Sequence, residues 1–136
     1  LAIVVTTGIA SIFLTKDYTP DYNSGLAHAI FYALTSYPVI EKNHLHGEIV
    51  GFGVLLALLV DGQDEEFEKI YLLNKSISLP VSLDEIEISK EQWEESTDRI
   101  PDMSDVAHYP YKVTKEMLKN AMARLEEKVR KDNHVR

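Results

Sequence analysis

Two long apolar runs constrain the fold of this chain more than any other feature of its sequence. One covers residues 1–14, interrupted only by small residues and threonines, and the other covers residues 49–60. A helix that crosses a bilayer needs about 20 apolar residues, so both runs are too short to do so. We therefore predict that each run forms a helix in the core of a globular protein.

The first run carries two further expectations. Because residues 2–14 are apolar on every side, they predict a fully buried helix, although Ile3, Val4 and Val5 also suit a strand. The chain starts at Leu1, inside this run, without the basic segment or the cleavage site of a signal peptide. A start within a core helix indicates that the chain is a fragment of a longer protein.

Capping residues mark where the later helices begin and end. The predicted helices after the first one cover residues 25–36, 46–60, 65–75, 90–99 and 115–131. Their capping or stop signals are Asn23 or Ser24, Asp61-Gly62, Asp64, Ser89 with Gln92, and Thr114. We expect loops or polar connections over residues 15–23, 37–45 and 101–110, and one short helical turn at Ser82 and Glu85.

Two of these helices have apolar residues at helical spacing, available for burial. They are Phe67, Ile70, Tyr71 and Leu73 in one helix, and Met117, Leu118, Ala121, Met122, Leu125 and Val129 in the other. No alternating pattern of strands competes with them. The predicted fold class is therefore all-α, with residues 1–136 forming one bundle of about six helices.

The composition agrees with a globular domain. Of the 136 residues, 45% are hydrophobic, and the formal net charge is −8. An acidic chain without a basic stripe is a poor partner for nucleic acid or for an anionic membrane, so we expect neither. Because the chain has no cysteine, it has no disulfide framework and no thiolate nucleophile, and a metal site has to use His, Asp or Glu.

His28 and His46 are the strongest candidates for chemistry. His28 lies in an otherwise apolar helix, where an imidazole either needs a partner or binds something. His46 starts the segment H-G-E-I-V-G-F-G, whose Gly47 and Gly51 share a helix face and predict a close approach to the backbone. Neutral imidazoles are good zinc ligands, and two on separate helices, with a third ligand from elsewhere, would leave a coordination position open for substrate. The plainer interpretation is that both histidines are hydrogen-bonded parts of the structure.

Other polar residues near these histidines have simpler interpretations. We expect His44 and His108 to be solvated in loops. Glu48 either orients a ligating histidine or stabilises the first turn of its helix through the helix dipole. The chain has no G-x-G-x-x-G, no G-x-x-x-x-G-K-[ST] and no G-x-S-x-G, so it carries no nucleotide cradle and no nucleophile of its own.

An ordered set of motifs resembles the glycerol dehydrogenases of the iron-containing alcohol dehydrogenase superfamily. The motifs are S-G-L-A-H-A-I at residues 24–30, H-G-E-I-V-G-F-G at 46–53, L-P-V-S-L-D-E-I at 79–86 and Y-P-Y-K-V-T at 109–114. They occur in the family's order and cover nearly the whole chain. The resemblance implies a helical, metal-binding C-terminal domain. The family's N-terminal α/β domain, which binds NAD or NADP, is absent from this chain.

The resemblance also implies what the site does. The divalent metal, usually zinc with iron as the alternative, would be held by His28 and His46, and the family's third ligand is an Asp that would lie upstream of residue 1. The metal polarises the substrate hydroxyl while a hydride passes to the nicotinamide. The full-length enzyme would be a cytoplasmic homo-oligomer, and we expect this chain alone to be inactive.

The chain departs from the family's motif next to His28. Two residues are missing before His28, and Phe31, Tyr32 and Ala33 stand where the family commonly has His, Asn and Gly. Phe31 and Tyr32 would form a bulkier and more apolar pocket wall, which suits a small alcohol, polyol or 2-hydroxy acid other than glycerol.

Two other functions remain open at this point. The chain could be a non-catalytic helical interaction domain whose histidines are structural. It could also be part of a lyase similar to dehydroquinate synthase, but such an enzyme needs several basic residues for a phosphate. Few basic residues occur near His28 or His46.

Overall fold

The computed structural model describes residues 25–107 and 109–134, and all regular secondary structure in these residues is helical. The helices are α1 (Leu26–Leu34), α2 (Pro38–Asn43), α3 (His46–Val60), α4 (Asp64–Ser76), α5 (Lys90–Arg99) and α6 (Lys115–His134). Two short 3-10 helices, Ile100–Asp102 and Ser104–Val106, lie between α5 and α6. The prediction of an all-α fold is confirmed. The predicted helix over residues 2–14, the loop over 15–23 and the caps Asn23 and Ser24 lie outside the described residues, as does His108.

The helix α2 corrects the prediction that residues 37–45 form a connection without secondary structure. Tyr37 is extended and Pro38 occupies the first turn, where its fixed φ suits a helix and its missing N–H costs nothing. Ile40 is 1% exposed and is the one fully buried side chain of this helix. A single buried residue gives no periodicity, so a helix of this length leaves no pattern in the sequence.

Local capping signals did predict where the later helices start. In front of α5, the amide of Gln92 donates to the Ser89 Oγ at 3.1 Å, and the amide of Ser89 donates to the Gln92 Oε1 at 2.9 Å. In front of α6, the amide of Met117 donates to the Thr114 Oγ1 at 3.2 Å. Each such cap satisfies backbone donors that a helix leaves free, and is worth about 1 kcal/mol.

The prediction that Asp64 caps α4 is wrong. Asp64 is the first residue of α4, and the capping position belongs to Gln63, whose side chain makes no capping bond. The Asp64 carboxylate instead accepts a hydrogen bond from Arg124 of α6 at 2.7 Å. The carboxylate that the local pattern assigned to a cap is therefore bonded to Arg124, which is distant in sequence.

The helix α3 is the centre of the bundle, because α1, α4 and α6 all pack against it. Its fully buried side chains are Ile49, Phe52, Leu55 and Leu56. Burying a side chain of this size stabilises a fold by about 1.5–3 kcal/mol. The segment 49–60, predicted from its apolar run to be a core helix, is confirmed as one. No helix of the described residues is both long and apolar enough to cross a membrane.

The neighbouring helices bury one face each. In α6 the predicted stripe is confirmed, with Leu118, Ala121, Met122 and Leu125 buried and Met117 and Val129 partly buried. In α4 the buried positions are Phe67, Tyr71 and Asn74. Their spacing of four and three residues defines one helix face, and Leu73 lies off that face and is 50% exposed. The prediction that Leu73 is buried is therefore wrong.

Among residues 25–107 and 109–134, two residues other than glycine, Ser78 and Glu87, have a left-handed backbone, each with φ of 61°. Both follow a helical turn that closes with the same pair of backbone bonds. For Glu87 these are Ile88 N–H to Leu83 O at 3.1 Å and Glu87 N–H to Asp84 O at 3.1 Å. Glycine is the usual residue at this position, and another residue costs roughly 1 kcal/mol.

Tyr71 of α4 is fully buried between two lysines. The Lys75 Nζ lies 5.6 Å and the Lys128 Nζ 5.4 Å from the centre of the phenol ring, so both ammonium groups are positioned for cation–π attraction. Burial is the main cause that raises the pKa of Tyr71. The carboxylate of Asp132 adds to this electrostatically, but no described residue reaches hydrogen-bonding geometry with the hydroxyl.

We expect Tyr71→Phe to protect the fold at alkaline pH. A raised folded-state pKa contributes stability that is fully present below the usual value of about 10 and is lost as pH rises through the folded pKa. The wild-type chain should therefore lose stability above about pH 10 more steeply than Tyr71→Phe does. Near pH 7 the variant should match the wild type or gain up to about 1 kcal/mol, because it removes a buried hydroxyl without a partner among the described residues.

Urea denaturation at a series of pH values measures this difference. Tyr32→Phe is the control, since Tyr32 is 47% exposed. If the free energies of unfolding of the wild type and of Tyr71→Phe fall in parallel as the pH rises through the alkaline range, burial does not raise the pKa of Tyr71.

Candidate metal centre

His28 and His46 reach the same place from different helices. His28 lies in the first turn of α1, which starts after the extended residue Gly25, and its side chain is half-buried. His46 is the first residue of α3, and it is exposed. The first turn of a helix leaves backbone N–H groups without partners inside the helix, so both histidines lie next to such donors.

The contact between α1 and α3 is a direct contact of backbones. A Cβ placed on Gly53 would lie 2.7 Å from the carbonyl oxygen of Ala27 and 3.1 Å from its Cα. No side chain fits in that space, because both atoms belong to the main chain of α1. Gly53 therefore allows the two helices to meet at the residue that precedes His28.

This finding corrects the expectation that Gly47 and Gly51 mark a close approach. A Cβ on Gly47 would meet nothing within 4 Å, and one on Gly51 would make ordinary contacts, the nearest at 3.6 Å with Leu79. The close approach is at Gly53, which the sequence analysis did not single out. The signal that could have identified it was the cost of a glycine inside a helix, but that cost is the same at all three positions.

The imidazoles of His28 and His46 lie side by side. Their ring centroids are 5.8 Å apart, and the ring planes are inclined by 47°. With Zn–N bonds of about 2.0–2.1 Å, two imidazoles on one tetrahedral zinc have centroids about 5 Å apart. The observed separation is therefore close to what a shared metal ion requires.

Two aromatic rings complete what we call the histidine–aromatic cluster, made of His28, Phe31, Tyr32 and His46. Phe31 packs against His46 edge to face, with centroids 4.3 Å apart. Tyr32 lies 6.4 Å from His28 and 5.4 Å from Phe31 by the same measure. Phe31 is partly buried, whereas Tyr32 is 47% exposed. The cluster is thus a partly apolar wall that carries two imidazoles.

The donor atoms of the cluster fit part of a zinc site. Two neutral imidazoles are typical zinc ligands, but a catalytic zinc has three protein ligands. Among residues 25–107 and 109–134, no group of three or more His, Cys, Asp or Glu side chains is arranged to hold a metal. A zinc site built on this pair of histidines would therefore need a third ligand from outside the described residues.

Glu48 lies nearer to His44 than to the cluster. Its Oε2 accepts a hydrogen bond from the amide of Leu45 at 2.6 Å, at the start of α3, and lies 3.8 Å from the His44 Nδ1. Of the two interpretations drawn from the sequence, the geometry favours the stabilising first-turn carboxylate. No hydrogen bond joins Glu48 to His28 or His46 in the described part of the chain.

His44 is not solvated, contrary to the prediction. Its side chain is 9% exposed, and its Nε2 lies 3.1 Å from the Glu87 Oε2. The same oxygen accepts a hydrogen bond from Asn43 at 3.0 Å. These bonds from Asn43 and His44 lower the pKa of Glu87. The sequence does not show this pairing, because Glu87 is distant along the chain from both partners.

We expect Gly53→Ala to separate the two helices. The added methyl would overlap the main chain of Ala27, and overpacking of this kind typically costs about 1–3 kcal/mol. Gly47→Ala is the matched control, because its methyl meets open space and a helix gains up to about 1 kcal/mol from the exchange. Urea denaturation compares both variants with the wild type. Equal stability of the two variants would show that the contact at Gly53 does not limit how closely α1 and α3 pack.

No family model matches the chain. The chain is 33% identical over 94 residues to glycerol dehydrogenase of Escherichia coli O6:H1, an alignment that covers 65% of this chain and 25% of the relative. The chain therefore spans about a quarter of the length of that relative. This similarity confirms the resemblance inferred from the motifs: the chain is similar to glycerol dehydrogenase over about two thirds of its own length.

Proposed function

We propose that the chain is the C-terminal, helical part of a metal-dependent oxidoreductase that uses NAD or NADP. Its substrate would be a small polyol, alcohol or 2-hydroxy acid. The observation that carries the proposal is the pair of imidazoles whose centroids lie 5.8 Å apart, on residues that match the family's metal-binding motifs. The similarity to glycerol dehydrogenase supports it independently.

In this proposal His28 and His46 bind the metal through neutral ring nitrogens, and a third ligand comes from outside the described residues. A divalent metal bound there, zinc or alternatively iron, would polarise the hydroxyl of a bound alcohol and favour its ionisation. The chain's own residues hold the two imidazoles at a fixed separation on two rigid helices. An N-terminal α/β domain in the longer protein would bring the nicotinamide to the opposite side of the site.

The wall beside the imidazoles bears on the choice of substrate. Phe31 contacts His46 directly and Tyr32 is close to His28, so a substrate on the metal would meet aromatic carbon as well as the Tyr32 hydroxyl. An aromatic wall offers few hydrogen bonds to a molecule that is hydroxylated on every carbon. It therefore favours a small alcohol, diol or 2-hydroxy acid with an apolar end.

The alternative of structural histidines has less support. A histidine that serves the fold is normally satisfied by hydrogen bonds, as His44 is by Glu87. In the described part of the chain, the rings of His28 and His46 make no hydrogen bond and instead contact each other and two aromatic rings. Side chains arranged in this way are available to an ion.

The resemblance further supports a cytoplasmic homo-oligomer.

We expect His28→Ala and His46→Ala, made in the longer protein, to lose the bound metal. Turnover should fall roughly 100-fold or more, because a site with one imidazole removed holds the ion weakly and no longer polarises the hydroxyl. Elemental analysis of the purified protein measures the metal, and reduction of NAD or NADP with a panel of alcohols and hydroxy acids measures turnover. The control is His134→Ala, which alters an exposed histidine in the last turn of α6. Full metal content in either variant would refute the assignment of ligands.

We also expect the 136-residue chain by itself to be inactive. It has no glycine-rich phosphate loop, and the described residues supply only two metal donors. Incubation with NAD or NADP, zinc and the same panel of substrates should produce no reduced cofactor, and calorimetry should detect no cofactor binding. Any turnover by the purified chain would contradict this expectation.

A further inference from the structure

The position of His46 depends on what holds the start of α3. The side chain of Leu45, which precedes it, is 75% exposed and gives the start of α3 no buried contact. The ends of helices fray unless side chains or neighbouring elements hold them. The exposed ring of His46 packs against the ring of Phe31, with centroids 4.3 Å apart. The Glu48 carboxylate holds the start of α3 through the amide of Leu45, but an anchor outside α3 is also needed to fix the backbone of His46 relative to α1.

His44, two residues earlier, is that anchor. Its side chain is 9% exposed, and its Nε2 lies 3.1 Å from the Glu87 Oε2. A carboxylate oxygen only accepts, so a hydrogen bond here requires the His44 Nε2 to donate. The Asn43 side chain donates to the same oxygen at 3.0 Å. Two consecutive residues at the end of α2 are thus tied to a single carboxylate.

The link from this anchor to His46 is short and extended. His44 has φ of −131° and ψ of 146°, and Leu45 has φ of −82° and ψ of 152°. The amide of Leu45 is held by the Glu48 carboxylate at 2.6 Å. A displacement of His44 would therefore shift the first residue of α3, because only the extended residue Leu45 separates the two.

Glu87 occupies a position where its backbone is unfavourable. Its φ of 61° is the left-handed conformation that glycine adopts without strain. The turn that carries it is fixed in the core by Leu83, Ile86 and Ile88, which are all buried. Strain of this kind persists where the surrounding structure imposes it, and it accumulates near functional sites. Glycine would avoid this strain, but it would also lack the carboxylate that contacts Asn43 and His44.

We propose that Glu87 is a positioning residue, which holds His46 in the candidate metal centre through His44 and Asn43. The inference rests on the proposed function of His28 and His46 as metal ligands. It assigns Glu87 no contact with metal or substrate. It also explains why a glutamate occupies a position that suits glycine.

The test compares Glu87→Gly with Ser78→Gly in the 136-residue chain. Ser78 has the same φ of 61° and closes α4 with the same type of turn, but its side chain is not part of the anchor. Both substitutions relieve the same backbone strain, and only Glu87→Gly removes the anchor. Glu87→Gln is the conservative variant, because its amide oxygen still accepts hydrogen bonds from His44 and Asn43.

Two measurements report on His46. Nuclear magnetic resonance follows the ring protons of His46, whose chemical shifts are displaced by the ring current of Phe31. A titration with zinc chloride, observed on the same resonances, gives the affinity of the histidine pair. We expect Glu87→Gly to lose most of the ring-current displacement and to bind zinc about tenfold more weakly, at the lower end of the effect of removing groups that orient a ligand. Ser78→Gly should match the wild type, and Glu87→Gln should recover most of the loss.

A purely structural role for Glu87 predicts a different result. In that case Glu87→Gly would change the melting temperature and leave the His46 resonances and the zinc affinity as they are, which would overturn the proposal. Equal losses in Ser78→Gly and Glu87→Gly would also overturn it, since strain relief alone would then be the cause. If saturating zinc chloride shifts the His28 and His46 resonances as two independent sites in the wild type, the two rings do not share an ion and the proposed function fails. The ring-current measurement still decides the role of Glu87 in that case.

Discussion

The contact between the backbones of α1 and α3 is the constraint on which the candidate metal centre depends. Helices that interlock through side chains keep their axes roughly 8–10 Å apart. At Gly53 the main chain of Ala27 occupies the space where a Cβ would lie, so the approach is limited by backbone atoms alone. His28 follows Ala27 directly, so this contact fixes the position of the backbone next to His28 relative to α3.

His44 and His46 lie two residues apart in the chain, but their environments differ. His44 is nearly buried and bonded to Glu87. His46 is exposed, and its ring packs against Phe31 and lies 5.8 Å from that of His28. A buried polar group is normally satisfied within the fold, and an imidazole kept for an ion is not. In the proposed arrangement, His44 anchors the backbone that carries His46.

Much of the fold followed from local signals. The apolar run of α3 and the capping residues of α5 and α6 predicted these helices, since a cap is a hydrogen bond between residues three apart and is visible in any sequence. The errors arose where distant partners intervened. Asp64 pairs with Arg124 instead of capping its helix, and α2 forms around one buried residue, Ile40.

The sequence by itself determined the helical class, the positions of most helix ends and the resemblance to glycerol dehydrogenase, because each is encoded in residues close together in the chain. It also singled out His28 and His46 as candidate ligands. Only the tertiary structure decided that their rings meet, that Gly53 and not Gly47 or Gly51 is where the helices touch, and that Glu87 holds His44. These facts depend on how closely the backbones of separate helices approach. That distance is set by the packing of the whole bundle, and no local pattern records it.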